Sequence, residues 1–240
     1  MFIKNRAFTL GEALMTMVIL GVVVAFTIPI VMQNTYGRET VLKVRKAYSI
    51  LSNSYENTST KYGPILEWDT VSTASYGDKM AKSILLGKNC GTANNLTNHN
   101  DCMPGCPKIY KADGSSIDNV CTSSEVAKLM SADGIAYAFQ IEDHTCSKDV
   151  TGNASNVPLI LKQVCGTAIA DIYHSQSGKN KNLYGSDIFL FYITRDGLIP
   201  AGLDADKVYP YKASECVKRI TKDSFGCAAK IIYDKEKIDE

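Results

Sequence analysis

The chain has 240 residues, with 26 Lys and Arg against 25 Asp and Glu. This length allows one domain, or two small ones, with an apolar core of its own. The near-equality of positive and negative charge excludes a field over the whole protein that would attract nucleic acid or an anionic membrane surface.

The N-terminus combines a short basic stretch with a long uncharged one. Lys4 and Arg6 precede a run of 20 uncharged residues at 13–32. As a helix, this run would extend about 30 Å, the thickness of the hydrocarbon core of a bilayer. It predicts a transmembrane helix at 13–32 with a cytoplasmic N-terminus. A secretory signal peptide is disfavoured, because the apolar stretch is too long and no small-residue cleavage site closes it.

Glu12 lies at the start of this run. A carboxylate at membrane depth costs several kcal/mol unless it is paired or neutralised, so Glu12 is a candidate functional residue. A cut between Ala7 and Phe8 would give Phe8 a free ammonium group. That group could pair with Glu12 of a neighbouring subunit when helices bundle, and the carboxylate would then specify assembly.

Residues 7–12 read Ala-Phe-Thr-Leu-Gly-Glu, and Gly21 and Pro29 follow at the fourteenth and twenty-second positions counted from Phe8. This pattern resembles the prepilin cleavage and methylation motif of type IV pilins and type II secretion pseudopilins. The resemblance implies cleavage between Ala7 and Phe8, N-methylation of Phe8 and assembly through Glu12. In this family the proline marks a bend of the helix. The residue before the cut is usually glycine in the family, whereas this chain has Ala7.

The same resemblance implies the function and the partners. The function is a structural one, as a pilin, minor pilin or pseudopilin of a type IV pilus or type II secretion-like filament, without enzyme activity. The partners are homologous pilins or pseudopilins in a homo- or hetero-oligomeric filament, prepilin peptidase and an inner-membrane assembly platform. The implied location is single-pass in the bacterial inner membrane before assembly, and an extracytoplasmic or cell-surface filament afterwards.

Beyond residue 38 the sequence becomes amphipathic and predicts that the helix continues to residue 62, before Gly63-Pro64. The predicted apolar face consists of Val41, Val44, Tyr48, Leu51 and Tyr55. The domains are therefore a leader at 1–7, a helix at 8–62 and an extracytoplasmic globular domain at 63–240.

The sequence of the globular domain at 63–240 predicts two short helices. One lies at 78–86, with Asp78 as the N-cap, and the other at 124–131. The same sequence predicts strands at 135–141, 167–173, 188–194 and 228–233, with turns at Asp133-Gly134 and Asp196-Gly197. The expected fold class is α+β and pilin-like: a long N-terminal helix, membrane-spanning in its first half, packed on an antiparallel sheet of about four strands and stabilised by disulfides.

All eight cysteines follow the apolar run, which predicts disulfides in an oxidising compartment. Eight cysteines allow 105 pairings. Cys216 with Cys227 is the preferred pair, and Cys146 with Cys165 is the second. The CxxxC spacing of Cys102 and Cys106 is typical of structural rather than redox cysteines, because no βαβ pattern surrounds it.

Other chemistry has weak support. Asp171 and Asp187 are weak calcium candidates in the C-terminal loops, together with Asp196, Asp204 and Asp206, but solvated loop acids are the favoured interpretation. No other metal or cofactor is predicted, and the three histidines are dispersed.

Two alternative functions stay open at this stage. The first is a single-pass, membrane-anchored extracytoplasmic binding protein or enzyme with a disulfide-rich domain. The second is a minor pilin that captures DNA or a host surface, for which Lys179–Lys181 is a short basic patch. Nucleic acid is therefore a disfavoured partner.

Overall fold

The structure is a computed structural model. It describes residues 10–68, 72–91, 102–103, 109–110, 116–117, 126–173, 185, 187–211 and 226–233, without the side chains of 26–37, 109–110 and 116–117. The chain forms two compact units, Met1–Glu39 and Thr40–Glu240. The boundary between the units falls inside the first helix.

Helix α1 runs from Leu10 to Tyr62, a length of 53 residues. It ends where the Gly63-Pro64 pair predicts. Gly63 has a φ of +80°, a left-handed conformation that glycine adopts without a Cβ penalty. A short 3-10 helix, Ile65–Glu67, follows, and the indole N–H of Trp68 donates a hydrogen bond to the Gly63 carbonyl at 3.0 Å.

The prediction of a transmembrane segment at 13–32 is wrong, and so is the single-pass location in the bacterial inner membrane. Among the described residues, no helix combines the length and the apolar character that crossing a bilayer requires. The uncharged part of α1 with described side chains covers residues 13–25, which is about 20 Å of helix, against the ~30 Å of a hydrocarbon core. The next described side chains, Arg38 and Glu39, are charged and exposed.

Helix α2 spans Thr73–Ala81 and not the predicted 78–86. Its N-cap is Ser72, whose hydroxyl accepts a hydrogen bond from the Ser75 N–H at 3.2 Å, so the predicted cap Asp78 lies inside the helix. The helix ends early because Leu86 begins strand β1 (Leu86–Asn89).

The main sheet has six antiparallel strands and not about four. Its order is β1-β4-β5-β6-β7-β8. The further strands of this sheet are β4 (Ala127–Ser131), β5 (Ala136–Ile141), β6 (Val164–Asp171), β7 (Ile188–Thr194) and β8 (Gly197–Pro200). Strands β2 (Ile109–Tyr110) and β3 (Ser116–Ile117) pair with each other in a separate two-stranded sheet.

Two predicted elements have the wrong type. Within the predicted helix at 124–131, residues 127–131 form strand β4, because a tight turn at Asp133-Gly134 pairs them with β5. Gly134 has a φ of +84°, as that turn requires. The predicted strand at 228–233 is helix α3, Cys227–Tyr233, which contacts β7 and β8. The second predicted turn, Asp196-Gly197, does join β7 to β8.

Both faces of the sheet are covered within the unit Thr40–Glu240. One face packs on the second part of α1, through Val44, Ala47, Leu51 and Tyr55, and on α2 and α3. The other face packs on residues from the segments 150–161 and 199–209. Strands β6 and β7 are therefore buried along their whole length. The weak alternation of apolar and polar residues in their sequences agrees with burial on both faces.

Hydrogen bonds supplement the packing of α1 on the sheet. The Tyr55 hydroxyl donates to the Arg195 carbonyl at 2.7 Å, and burial raises the pKa of this phenol to about 12. The Tyr48 ring stacks on Phe191 at 5.8 Å between centroids. An ion pair of 2.8 Å joins Lys46 to Asp133 in the β4–β5 turn. Burial acts to raise the pKa of that aspartate, but the hydrogen bonds from Lys46 and the Ser131 hydroxyl and the charge of Lys46 together outweigh it and lower the pKa.

Candidate functional site: an exposed apolar helix segment

The first part of α1, residues 10–25, carries apolar side chains on all sides of the helix. We call it the apolar segment. Its large apolar side chains are between 46% and 79% exposed, at Leu10, Leu14, Met15, Met17, Val18, Ile19, Leu20, Val22, Val23 and Val24. These positions are nearly consecutive, so at 3.6 residues per turn they cover the full circumference. A helix that is hydrophobic all round is normally buried, since each such side chain gains about 1.5–3 kcal/mol when it leaves water.

The two glycines of the apolar segment leave its backbone open to close approach. A Cβ placed on Gly11 or Gly21 would meet no heavy atom within 4 Å. Gly21 is one of the positions that carry the family resemblance. The Thr16 hydroxyl donates back to the Ala13 carbonyl at 2.9 Å, so the helix itself satisfies this polar group.

Glu12 lies in the first turn of α1, with its side chain exposed. A carboxylate at this position is favoured by the partial positive charge of the helix N-terminus. The predicted cleavage pair, Ala7 and Phe8, lies outside the described residues, so the pairing of Glu12 with Phe8 remains a prediction. The backbone is helical at Pro29, whose side chain is outside the described part. The predicted kink there remains a prediction as well.

The structure contains two disulfides whose partners are both described. Cys146 is bonded to Cys165, the second pair that the sequence suggested. Cys90 is bonded to Cys102, so Cys102 does not form the CxxxC pair with Cys106. Cys227 is also disulfide-bonded, while Cys216 lies outside the described residues.

The carboxylates considered for calcium do not converge in the described part of the chain. No group of three or more His, Cys, Asp or Glu side chains there could hold a metal ion. Asp171 is buried at the end of β6 and accepts a hydrogen bond from the Tyr173 N–H at 3.2 Å, and Asp187 precedes β7. Asp196 and Asp204 are exposed. His144 is exposed too, while His99, His174 and the basic patch at 179–181 lie outside the described residues.

Asp206 is a buried structural carboxylate, whereas its sequence context predicted a solvated acid in a loop. The Tyr192 hydroxyl lies 2.9 Å from both of its oxygens and donates to the carboxylate. The backbone N–H groups of Gly202, Val208 and Tyr209 donate to it as well, at 2.9–3.0 Å. Burial and the neighbouring carboxylate raise the pKa of Tyr192 well above its ordinary value, so the phenol keeps its proton. The loop after β8 is thereby fixed to the sheet.

Lys128 is a second residue that the sequence did not reveal. Its side chain is completely buried on β4, and its ammonium donates to the Met103 carbonyl at 3.3 Å. No carboxylate of the described residues forms an ion pair with it. Burial lowers the pKa of Lys128 from 10.5 to about 8. In the sequence, Lys128 stands between the apolar residues Ala127 and Leu129. That pattern is equally typical of a strand whose polar side chains face solvent, so it does not reveal the burial of the lysine.

We expect Lys128→Met to stabilise the protein at neutral pH. The lowered pKa means that the folded state binds fewer protons than the unfolded state between pH 8 and 10.5. The cost of the buried charge is fully present below pH 8 and disappears as the pH rises towards 10.5. Allowing for the lost hydrogen bond to Met103, the gain is about 2 kcal/mol at neutral pH.

Chemical denaturation at a series of pH values checks this difference. The control is Lys82→Met, because Lys82 is exposed and its replacement is expected to change the stability by less than about 0.5 kcal/mol. A Lys128→Met protein that is less stable than the wild type at neutral pH would contradict the expectation.

Comparison of the chain with protein-family models, with curated proteins and with solved structures finds no match. The resemblance to prepilins therefore rests on the residues of the N-terminal motif.

Proposed function

We propose that this protein is a structural subunit, a pilin, minor pilin or pseudopilin, of a type IV pilus or type II secretion-like filament. The observation that carries the proposal is the apolar segment of α1, whose large side chains are exposed around the whole helix. Such a surface is expected to be buried in the functional state. The same segment of neighbouring subunits can bury it, and repetition of that contact from subunit to subunit produces a filament.

The sequence motif supports the same function independently. Removal of residues 1–7 would create a new ammonium on Phe8, four residues before Glu12 in the sequence. In a bundle of staggered helices the ammonium of one subunit can reach the carboxylate of another. Because water is excluded between apolar helices, this pair would be strong enough to fix the register of the subunits.

The unit Thr40–Glu240 has the features expected of the globular part of a filament subunit. The unit Thr40–Glu240 buries both faces of its sheet, so its core is complete within one chain. The disulfides Cys90–Cys102 and Cys146–Cys165 crosslink this unit, which suits a structural subunit. Prepilin peptidase and an assembly platform are the partners that this function requires.

Mass spectrometry of the protein isolated from its native host tests the proposal. We expect the mature chain to begin at Phe8, with one methyl group on its amine. The spectrum should contain this N-terminal peptide and lack peptides from residues 1–7. A chain that keeps Met1 in assembled material, or that begins after residue 32, would refute the proposal.

A further inference from the structure

The Cys90–Cys102 disulfide lies against the buried Lys128. The Cys90 N–H donates to the Lys128 carbonyl at 3.1 Å, and the Lys128 N–H donates to the Gly91 carbonyl, also at 3.1 Å. These two hydrogen bonds make Cys90 and Gly91 the neighbours of Lys128 across the β1–β4 pair. The disulfide is thus anchored on the backbone directly opposite the lysine.

The other half of the disulfide covers the lysine side chain. Cys102 and Met103 are both completely buried, and the Met103 carbonyl is the acceptor for the Lys128 ammonium. Met103 also belongs to the buried apolar cluster on the sheet face that includes Val126 and Ala138. The covalent bond from Cys102 to Cys90 acts together with the burial of Met103 and its hydrogen bond with Lys128 to hold residues 102–103 on the sheet at this point.

The burial of the Lys128 ammonium opposes the position that the disulfide gives to residues 102–103. Among the described residues, the buried ammonium of Lys128 has one carbonyl acceptor and no carboxylate, so these contacts do not replace the hydration that it loses. Any movement of residues 102–103 away from the sheet would return the amine to water and relieve that cost. The crosslink thus holds residues 102–103 on the sheet, whereas hydration of the amine favours their movement away from it.

We propose that the Cys90–Cys102 disulfide is a redox latch that holds residues 102–103 over Lys128, and that its reduction by a dithiol exposes the lysine amine to solvent. In the reduction, a dithiol gives two electrons and two protons to the bond between the two sulfur atoms. Cys90 and Cys102 become thiols, and the dithiol becomes its own disulfide. The inference does not depend on the proposed filament function, since it uses only residues of the unit Thr40–Glu240.

Amine acetylation of the full chain, followed by peptide mass spectrometry, tests the latch. The probe is an N-hydroxysuccinimide ester of acetate at neutral pH. Three proteins are compared: the wild type, the double variant Cys90→Ser with Cys102→Ser, and the double variant Cys146→Ser with Cys165→Ser. The exposed Lys82 is the internal reference for the reagent in each of them.

We expect the wild type to acetylate Lys128 far more slowly than Lys82. In the Cys90→Ser, Cys102→Ser protein, the rate at Lys128 should rise on the order of tenfold or more, while Lys82 is unchanged. The Cys146→Ser, Cys165→Ser protein should keep Lys128 protected. Continued protection of Lys128 without Cys90–Cys102, or equal exposure in both double variants, would overturn the proposal.

A titration of the wild type with dithiothreitol covers the case in which a double variant does not fold. The loss of each disulfide and the acetylation of Lys128 are then followed in the same samples. The latch requires that exposure of Lys128 follows the loss of Cys90–Cys102. Exposure that follows only the loss of Cys146–Cys165 would overturn it.

Discussion

Replacing Glu12 with leucine is expected to prevent ordered filament assembly. The leucine variant keeps the apolar segment and removes the carboxylate that would pair with the Phe8 ammonium of a neighbouring subunit. Loss of one partner of a water-excluded ion pair leaves the other charge without compensation, which costs about 3–5 kcal/mol. At about 1.4 kcal/mol per factor of ten, the yield of filaments should fall at least about a hundredfold.

Electron microscopy and sedimentation of sheared filaments measure this effect. Glu56→Leu is the matched control, because Glu56 is an exposed glutamate of the same helix in the unit Thr40–Glu240. It should assemble as the wild type does. Filaments of Glu12→Leu that form at the normal rate and with the normal subunit spacing would show that the proposed pairing is wrong.

The second large effect is expected at Asp206, where alanine should destabilise the unit Thr40–Glu240 by about 3–5 kcal/mol. Asp206→Ala leaves the Tyr192 hydroxyl and three backbone N–H groups without their acceptor. For a protein of this size, the melting temperature should fall by about 6–20 °C. The sheet face below the loop would also lose part of its cover.

Calorimetry or thermal circular dichroism of the two aspartate variants separates this effect from a general loss of acidic charge. Asp204→Ala is the control, since Asp204 lies two residues away and is exposed. Its melting temperature should stay within about 2 °C of the wild type. Equal melting temperatures for Asp206→Ala and the wild type would mean that the loop is held by packing alone.

The sequence predicted well those elements whose signals are local. The end of α1 at Gly63-Pro64, the limits of β7 and the turn at Asp196-Gly197 depend on glycine, proline and a short apolar run. The two wrong assignments depend on distant partners. Residues 127–131 are a strand because β1 and β5 flank them, and residues 227–233 are a helix that contacts β7 and β8.

The polar residues of the core could not be predicted for a related reason. Asp204 and Asp206 look alike in the sequence, and only the fold places Tyr192 opposite one of them. Lys128 looks like the polar side of a half-exposed strand, and only the fold shows that it is buried with its ammonium on the Met103 carbonyl, next to a disulfide-bonded cysteine. The membrane prediction failed because it took a count of uncharged residues as a span, whereas no helix of the described residues is long and apolar enough to cross a bilayer.

The order of the strands has a consequence for how the chain folds during synthesis. From β4 to β8, each strand pairs with the next one along the chain. A polypeptide that leaves the ribosome from its N-terminus can therefore add these strands one after another, because each of them pairs with the strand made just before it. The Cys146–Cys165 bond spans the connection between β5 and β6, so it can form before β7 has been made. Among the described strands of the main sheet, β1 alone pairs with a strand that is not next to it along the chain, and its crosslink to Cys102 shortens that search.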